Sequence, residues 1–303
     1  MSATPQMHSV PVRGGELNVA KWGDRGPVVY AAHGITANYL MWQPVADLLS
    51  GEAQIIAPDL RGRGDSGKLP GPFGMAAHVG DAIATLDALG IDRAMVLGGS
   101  MGGYVAVLLA AQHPDRVTNV GLCDGGVALP VPDGIDPDEM LKATLGPTME
   151  RLDMTFESLD DYVAFWHKHP ALDADWNDAI ENYVVYDYET TQDGKIKTKV
   201  NKEAIVADGR DLLTNTDVHE CIADIHCPVW LLRAPRGLLN QPAPLISDDM
   251  LARWRGDRLP QLEDEMLVDL NHFTLFLTEP GAKAIADRVR SSVLEVPAQQ
   301  STQ

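Results

Sequence analysis

A turn of small residues constrains this chain more than any other segment of its sequence. Apolar residues 94–97 lead into Gly98-Gly99-Ser100-Met101-Gly102, and the helix-forming run 104–112 follows. The chain must pass from strand to helix within a few residues, which forces the middle residue into a strained backbone conformation. The pattern predicts that Ser100 Oγ projects at the carboxyl end of a buried strand. It also predicts that the Met101 N–H lies at a helix N-terminus, where an anion is favoured.

The rest of the chain alternates short apolar runs with helical patterns. Continuous apolar runs are typical of parallel strands buried on both faces, and strands alternating with helices indicate βαβ crossovers. An edge hairpin is predicted around Gly14-Gly15. The predicted strands are residues 8–12, 17–22, 28–32, 54–57, 94–97, 117–123, 229–232 and 266–270, and the predicted helices are 40–49, 75–89, 102–112, 248–254 and 281–294.

Residues 127–218 interrupt this alternation. Amphipathic stretches at 140–152 and 160–166 precede a segment, 183–200, that resembles an antiparallel hairpin turning at Asp193-Gly194. We interpret this region as an inserted, mainly helical cap. The sequence therefore predicts a core domain of residues 1–126 and 219–303 and a cap domain of residues 127–218.

Charge and cysteine content exclude several classes of function. Acidic residues outnumber basic ones by 43 to 24, a net charge of −19 that disfavours nucleic-acid and membrane-surface binding. The chain has no apolar run of the roughly 20 residues that a membrane helix needs, and no signal-peptide pattern is visible. Three cysteines are too few for a disulfide framework. We therefore expect a reduced, cytoplasmic protein.

His219, Cys221, His226 and Cys227 crowd together and suggest a metal site at first sight. Their spacing is not Cys-x2-Cys, and the segment leads directly into a predicted buried strand. We expect neither a metal nor a cofactor.

The motif G-x-S-x-G is weak evidence alone, but its strand–turn–helix context and three further motifs strengthen it. His33-Gly34-Ile35 follows the third predicted strand, Asp59-Leu60-Arg61-Gly62-Arg63-Gly64-Asp65-Ser66 follows the fourth, and Asn271-His272-Phe273 follows the last. With these motifs the chain resembles the α/β-hydrolase superfamily from about residue 10 to residue 293. The resemblance implies an α/β-hydrolase fold, with a mostly parallel eight-stranded sheet, helices on both faces and an inserted cap.

The resemblance also implies roles for individual residues. Ser100 would be the nucleophile and His272 the base, because the superfamily orders its triad as Ser, acid, His. The backbone N–H groups of Ile35 and Met101 would form the oxyanion hole. His33 belongs to the oxyanion motif and is expected to brace that loop.

The acid departs from the commoner family pattern. Most members carry it after the strand that corresponds to residues 229–232, but here that loop has no carboxylate before Asp248. A minority branch, which includes resorcylic-lactone hydrolases, takes the acid from the end of the preceding strand, where this chain has Asp124. Asp248 and Asp249 stay open as alternatives. An amide such as Asn240 could orient the histidine but not neutralise it.

A serine nucleophile predicts hydrolysis of a small or medium apolar ester, or of a lactone, through an acyl-enzyme. Carbon–carbon bond hydrolysis and perhydrolysis on the same triad are alternatives, and a non-catalytic ligand-binding role is a third. The sequence is compatible with a homodimer but gives no clear signal for one. The substrate pocket is predicted to involve His33, Gly34, Trp42, Trp166 and Tyr186.

Overall fold

A central β-sheet organises the protein, whose computed structural model describes residues 2–129, 131, 134–256 and 258–294. Eight strands form this sheet, and two more form a separate antiparallel hairpin, β7 with β8. In chain order the strands are β1 (Gln6–Val12), β2 (Gly15–Trp22), β3 (Val28–Ala32), β4 (Gln54–Pro58), β5 (Ala94–Gly99), β6 (Val117–Cys123), β7 (Tyr188–Thr190), β8 (Ile196–Thr198), β9 (Val229–Arg233) and β10 (Leu262–Met266).

The sheet order is β1-β2-β4-β3-β5-β6-β9-β10. Strand β2 runs antiparallel to both of its neighbours, and every other neighbouring pair is parallel. The prediction of a mostly parallel eight-stranded sheet is therefore confirmed. Because β5, β6 and β9 are adjacent and parallel, the loops at their carboxyl ends meet at one edge of the sheet.

Helices cover both faces of the sheet, as predicted. Apolar side chains of α2 and α3 pack on one face, and those of α1, α10 and α11 pack on the other. In chain order the helices are α1 (Gln43–Leu48), α2 (Met75–Ala88), α3 (Met101–Gln112), α4 (Pro137–Arg151), α5 (Leu159–Trp166), α6 (Asp178–Tyr186), α7 (Lys202–Thr214), α8 (Thr216–Glu220), α9 (Asp248–Arg255), α10 (Thr274–Leu277) and α11 (Glu279–Val293).

The segment between β6 and β9 holds helices α4 to α8 and the β7–β8 hairpin. Helices α4 to α7 each begin after a residue whose side chain accepts a hydrogen bond from the first helical turn, namely Asp136, Ser158, Asn177 and Asn201. This segment corresponds to the predicted cap. The division of the chain at residues 127 and 218 stays a prediction.

Two of the elements predicted from the sequence were wrong in their bounds. The hairpin was predicted from residue 183, but α6 occupies Asp178–Tyr186 because Ile180, Tyr183 and Val184 are buried at helical spacing behind the Asn177 cap. The last sheet strand was predicted at residues 266–270 and lies at Leu262–Met266. Three of its five residues are acidic, of which Glu263 and Glu265 are exposed and Asp264 pairs with Arg233 and Arg255, so hydrophobicity does not mark this edge strand.

Candidate active site

Ser100 occupies the sharp turn between β5 and α3. Its backbone angles, φ 52° and ψ −122°, lie in a region that L-residues rarely adopt. Its N–H donates to the carbonyl oxygen of Cys123 at 2.9 Å, which ties the turn to the end of β6. A side chain at Gly102 would collide with the carbonyl oxygen of Ala32, so the close approach of helix to strand requires glycine there. The half-buried Ser100 thus stands at the N-terminus of α3, as the sequence predicted.

His272 reaches this edge from the loop that follows β10. Its N–H donates to the carbonyl oxygen of Arg236 at 3.1 Å. The next turn is fixed by Asn271 Oδ1, which accepts the N–H groups of Phe273 and Thr274 at 2.9 Å each. His272 Nδ1 lies 2.7 Å from Asp124 Oδ2, with His272 5% exposed and Asp124 fully buried. The ring is therefore held by both its backbone and a carboxylate.

Asp124 follows the last residue of β6 and has a positive φ of 45°. Its N–H donates to the carbonyl oxygen of Leu232 at 2.8 Å, and its Oδ1 accepts the N–H of Ala234 at 3.3 Å. Both carboxylate oxygens are thus engaged, one by His272 and one by the backbone of the loop after β9.

The other candidate acids lie elsewhere. Asp248 is 88% exposed at its side chain and pairs with Arg233 at 2.7 Å, and Asp249 is exposed on the first turn of α9. Asn240 Oδ1 accepts a hydrogen bond from Arg236 Nε at 2.8 Å, so this amide braces the histidine loop instead of touching His272. The structure brings Asp124 to His272 and leaves these three residues away from the ring.

Ser100 and His272 line the same cavity. Among the hydrogen bonds of the residues that the structure describes, none joins Ser100 Oγ to the His272 ring. In ligand-free sites this bond is often long and shortens when substrate binds.

His33 braces the loop that carries Gly34 and Ile35. The N–H of Leu60 donates to His33 Nε2 at 2.9 Å, so the ring proton resides on Nδ1, which donates to the carbonyl oxygen of Gly34 at 2.8 Å. Burial lowers the pKa of His33 to about 3, and the ring is neutral at pH 7. This agrees with the bracing role expected from sequence.

Arg63 is a functional candidate that the sequence analysis missed. Its Nε donates to the carbonyl oxygen of Ile35 at 2.8 Å, and its Nη2 lies 3.8 Å from Met101 Sδ. Its Nη1 pairs with Asp208 on α7, and both side chains are fully buried. One guanidinium therefore contacts both predicted oxyanion residues and a cap helix, and no local sequence signal marks this role.

Asp208 anchors the far side of this network. It also accepts a hydrogen bond from Gly74 N at 2.5 Å and lies 2.9 Å from His78 Nε2. Burial opposes its ionisation, but the charges of Arg63 and His78 outweigh burial and hold the pKa of Asp208 below its ordinary range. Helix α7 is thus joined to the loop that carries Ile35 through the Arg63–Asp208 ion pair.

The cavity has two chambers, and Ser100 lines both of them. We call the first the mixed chamber, because its walls include hydroxyl and imidazole groups beside aromatic ones. We call the second the leucine chamber. The mixed chamber includes Thr36, Thr148, His169, Tyr183, His272 and Phe273. The two share Ile35, Ser100, Thr144, Leu145 and Leu238.

Of the predicted pocket residues, Gly34 lines the mixed chamber, but His33 and Trp42 do not. Both are fully buried, His33 behind the loop that carries Gly34 and Ile35, and Trp42 edge-on against Phe276 at 5.6 Å between ring centroids. The prediction for these two residues is therefore corrected: they support the wall of the cavity from behind.

The predictions for Trp166 and Tyr186 are corrected in the same way. Trp166 is 6% exposed and packs inside the cap under Arg151, whose guanidinium lies 4.8 Å from its ring. The Tyr186 hydroxyl donates to Asp59 at 2.5 Å, and its ring borders a separate surface cleft. Trp166 and Tyr186 therefore stabilise the packing between secondary-structure elements, because a large aromatic ring buries more surface than most other side chains.

None of the helices described here is long and apolar enough to cross a membrane. Within the same residues no group of three or more His, Cys, Asp or Glu side chains is arranged to hold a metal ion.

Comparison with known proteins gives the family. The model of the alpha/beta hydrolase fold family matches residues 27–178, about half of the chain. The chain belongs to this family. Lipase LipV of Mycobacterium tuberculosis is 39% identical over 43% of this chain and 48% of its own length. Putative carbamate hydrolase RutD of a Caulobacter species is 28% identical over 81% of this chain and 83% of its own length.

Several other relatives match over only about a third of this chain. The match with 2-hydroxymuconate semialdehyde hydrolase of a Pseudomonas species is 36% identical and spans 34% of this chain and 37% of that protein. Thus the chain spans between about a third and a half of several relatives that it matches.

Solved structures agree on the fold. The structure of E-2-(acetamidomethylene)succinate hydrolase is similar with a TM-score of 0.77 and 23% identity, covering 96% of this chain and 100% of that one. A thermophilic esterase from Thermogutta terrifontis is similar with a TM-score of 0.68 and 22% identity, over 96% and 100% of the two chains. At these identities the likeness concerns the fold.

Proposed function

We propose that this protein is a serine hydrolase that cleaves a carboxylic ester or a lactone, with Ser100 as nucleophile, His272 as base and Asp124 as acid. The observation that carries the proposal is the 2.7 Å contact of His272 Nδ1 with the buried Asp124 carboxylate, beside Ser100 on its strained turn. A buried carboxylate in this position orients the imidazole and stabilises the imidazolium that forms during catalysis.

The reaction has two steps. Ser100 Oγ attacks the carbonyl carbon while His272 Nε2 takes the hydroxyl proton. The bond to the leaving oxygen then breaks, and His272 returns that proton to the leaving alkoxide, which gives an acyl-enzyme and an alcohol. Water then attacks the acyl-enzyme while His272 takes its proton, and His272 passes this proton to Ser100 Oγ as the acyl–Oγ bond breaks, which releases the carboxylic acid and regenerates Ser100.

The N–H groups of Ile35 and Met101 serve as oxyanion donors in this proposal. Met101 is the first residue of α3, so its N–H is among the donors that a helix leaves unpaired at its start. Ile35 is presented by the loop that His33 and Arg63 hold. Loss of one such donor typically costs roughly 3–4 kcal/mol of transition-state stabilisation.

Carbon–carbon bond hydrolysis is the second candidate. The observation in its favour is the similarity to 2-hydroxymuconate semialdehyde hydrolase, although it spans 34% of this chain. Such a reaction would use the same serine and histidine, so substrate panels have to separate the two.

A fluorophosphonate probe tests the nucleophile directly. We expect it to label the intact protein at Ser100, to fail with Ser100→Ala, and to leave every other serine unlabelled. A panel of chromogenic esters and macrocyclic lactones, run beside a vinylogous 1,5-diketone, then identifies the bond that is cleaved. Labelling that persists in Ser100→Ala would overturn the assignment of the nucleophile.

A further inference from the structure

The leucine chamber lies between two cap helices and the N-terminus of α3. Leu141 and Leu145 come from α4, and Leu212 and Leu213 come from α7. Each of the four is at most 8% exposed. Leu129, Leu238, Leu245 and Ile246 add to the same wall. The surface offered to a ligand here is therefore mainly aliphatic.

Apart from Ser100, the polar side chains of this wall have hydrogen-bond partners within the protein. The Tyr104 hydroxyl donates to the carbonyl oxygen of Val127 at 2.5 Å, and Thr144 Oγ1 donates to that of Met140 at 2.9 Å. Both oxygens of Asp124 are engaged by the contacts described above. A polar substituent placed in this chamber would lose its water among mainly aliphatic side chains, which is unfavourable.

The mixed chamber also has apolar walls, but more polar side chains line it than line the leucine chamber. It is lined by the hydroxyl-bearing Thr36 and Thr148 and by His169. His169 Nδ1 accepts the N–H of Ala171 at 3.2 Å, so its Nε2 carries the proton and can donate. Burial lowers the pKa of His169 to about 4, which keeps this ring neutral at pH 7. An oxygen-bearing group is therefore accommodated better here than in the leucine chamber.

The position of His272 indicates which part of the substrate each chamber holds. His272 lines the mixed chamber and is not among the residues described around the leucine chamber. The leaving oxygen must lie within reach of His272 to receive its proton. The leaving alcohol consequently extends into the mixed chamber, and the acyl group, on the other side of the carbonyl carbon, extends into the leucine chamber.

We propose that the leucine chamber is the acyl subsite of an enzyme for uncharged esters with a medium-length aliphatic acyl chain, and that the mixed chamber holds an alcohol that carries further oxygen atoms. Among the described residues that line the two chambers there is no lysine or arginine to pair with a carboxylate on the substrate. This inference rests on the proposed ester hydrolysis.

Two ester series test it on the wild-type protein. In p-nitrophenyl esters from acetate to dodecanoate, we expect kcat/KM to rise about fourfold per added methylene until the chamber is full. In butyrates of alcohols of increasing size, we expect glycerol-like alcohols to be preferred over alkanols of equal length. Hemisuccinate esters, which carry a charge on the acyl side, should be poor substrates.

Leu141 and Thr148 provide a matched pair of variants, because both lie on α4 and each lines a different chamber. Leu141→Trp should lower the octanoate-to-acetate ratio of kcat/KM by about tenfold or more and leave the alcohol ratios within about twofold. Thr148→Trp should change the alcohol ratios by about tenfold or more and leave the octanoate-to-acetate ratio within about twofold. Leu129→Trp repeats the acyl-side test from a different segment if Leu141→Trp does not fold.

The outcomes are separable. If Leu141→Trp changes the alcohol ratios and Thr148→Trp the acyl ratio, the two chambers are assigned the wrong way round. If the wild-type acyl series is flat, the leucine chamber is not the acyl subsite although the ester hydrolysis stands. If no ester or lactone is cleaved, the proposed function itself fails, and this inference fails with it.

Discussion

His272 Nδ1 lies 2.7 Å from Asp124 Oδ2, although the two residues are 148 positions apart in the chain. Asp124 directly follows β6, whereas the loop after the neighbouring strand β9 carries the amide of Asn240. The carboxyl ends of β6 and β9 lie side by side, so a carboxylate from either strand could reach the histidine. In this protein the carboxylate is that of Asp124 after β6, and the backbone of Asp124 has a strained, positive φ.

We therefore expect Asp124→Asn to lower kcat by about 10³- to 10⁴-fold, because an amide does not stabilise the imidazolium and favours the wrong tautomer of the ring. Asp248→Asn is the control, since Asp248 pairs with Arg233 at an exposed position, and its kcat should stay within about threefold of wild type. Steady-state kinetics on one chromogenic ester, with circular dichroism as the check of folding, measures both. Equal losses in the two variants would refute the assignment.

Arg63 is expected to position the oxyanion loop. Arg63→Lys keeps the charge opposite Asp208 but loses the planar fork that also holds the carbonyl oxygen of Ile35, so we expect kcat to fall by about 10- to 100-fold with a smaller change in KM.

Arg61→Lys is the matched control for that variant. Arg61 lies in the same motif and makes a buried pair with Asp81, at 2.7 and 3.0 Å, but has no hydrogen bond to the oxyanion loop. It should lower the urea midpoint and leave kcat of the folded protein near wild type. A purely structural role for Arg63 would make the two variants alike in both measurements.

His33 should make the fold sensitive to acid. Burial lowers its pKa from 6.5 to about 3, so the unfolded chain binds more protons between these pH values and the free energy of unfolding falls as pH falls through that window. The slope from one such group is at most about 1.4 kcal/mol per pH unit. Urea unfolding of wild type and His33→Gln at pH 7 and pH 4.5 should show a shallower dependence in the variant.

Asp59 changes the unfolding free energy with pH in the opposite direction, because burial raises its pKa to about 6. Since wild type and His33→Gln both contain Asp59, its contribution is the same in the two pH profiles. Parallel pH profiles for wild type and His33→Gln would mean that His33 is protonated in the folded state.

Tyr186 should stabilise the fold without selecting substrate. Its hydroxyl donates to the buried Asp59 carboxylate, so Tyr186→Phe should cost about 1.5–3 kcal/mol of unfolding free energy at pH 8. The cost should shrink at pH 5, because the pKa of Asp59 is about 6 and its protonated form needs the donor less.

Tyr188→Phe is the control, a half-buried tyrosine on the border of the same surface cleft. Both variants should keep the wild-type acyl and alcohol ratios. A changed substrate preference in Tyr186→Phe alone would restore its earlier assignment to the pocket.

Local features of the chain could be predicted because they depend on neighbours in sequence. The passage from β5 to α3 through glycines fixes the strained turn at Ser100, and continuous apolar runs mark strands that are buried on both faces. The prediction misplaced strand β10 because three of the five residues of this edge strand are acidic, so its composition resembles that of a loop.

By itself the sequence determined the α/β alternation, the turn that carries Ser100 and the histidine loop after the last strand. It left three candidates for the acid of the triad, Asp124, Asp248 and Asp249. Only the tertiary structure placed Asp124 against His272, joined Arg63 to Asp208, and turned four predicted pocket residues away from the cavity. The physical reason is that these contacts join segments far apart in the chain, and which buried groups meet depends on the packing of the cap against the sheet.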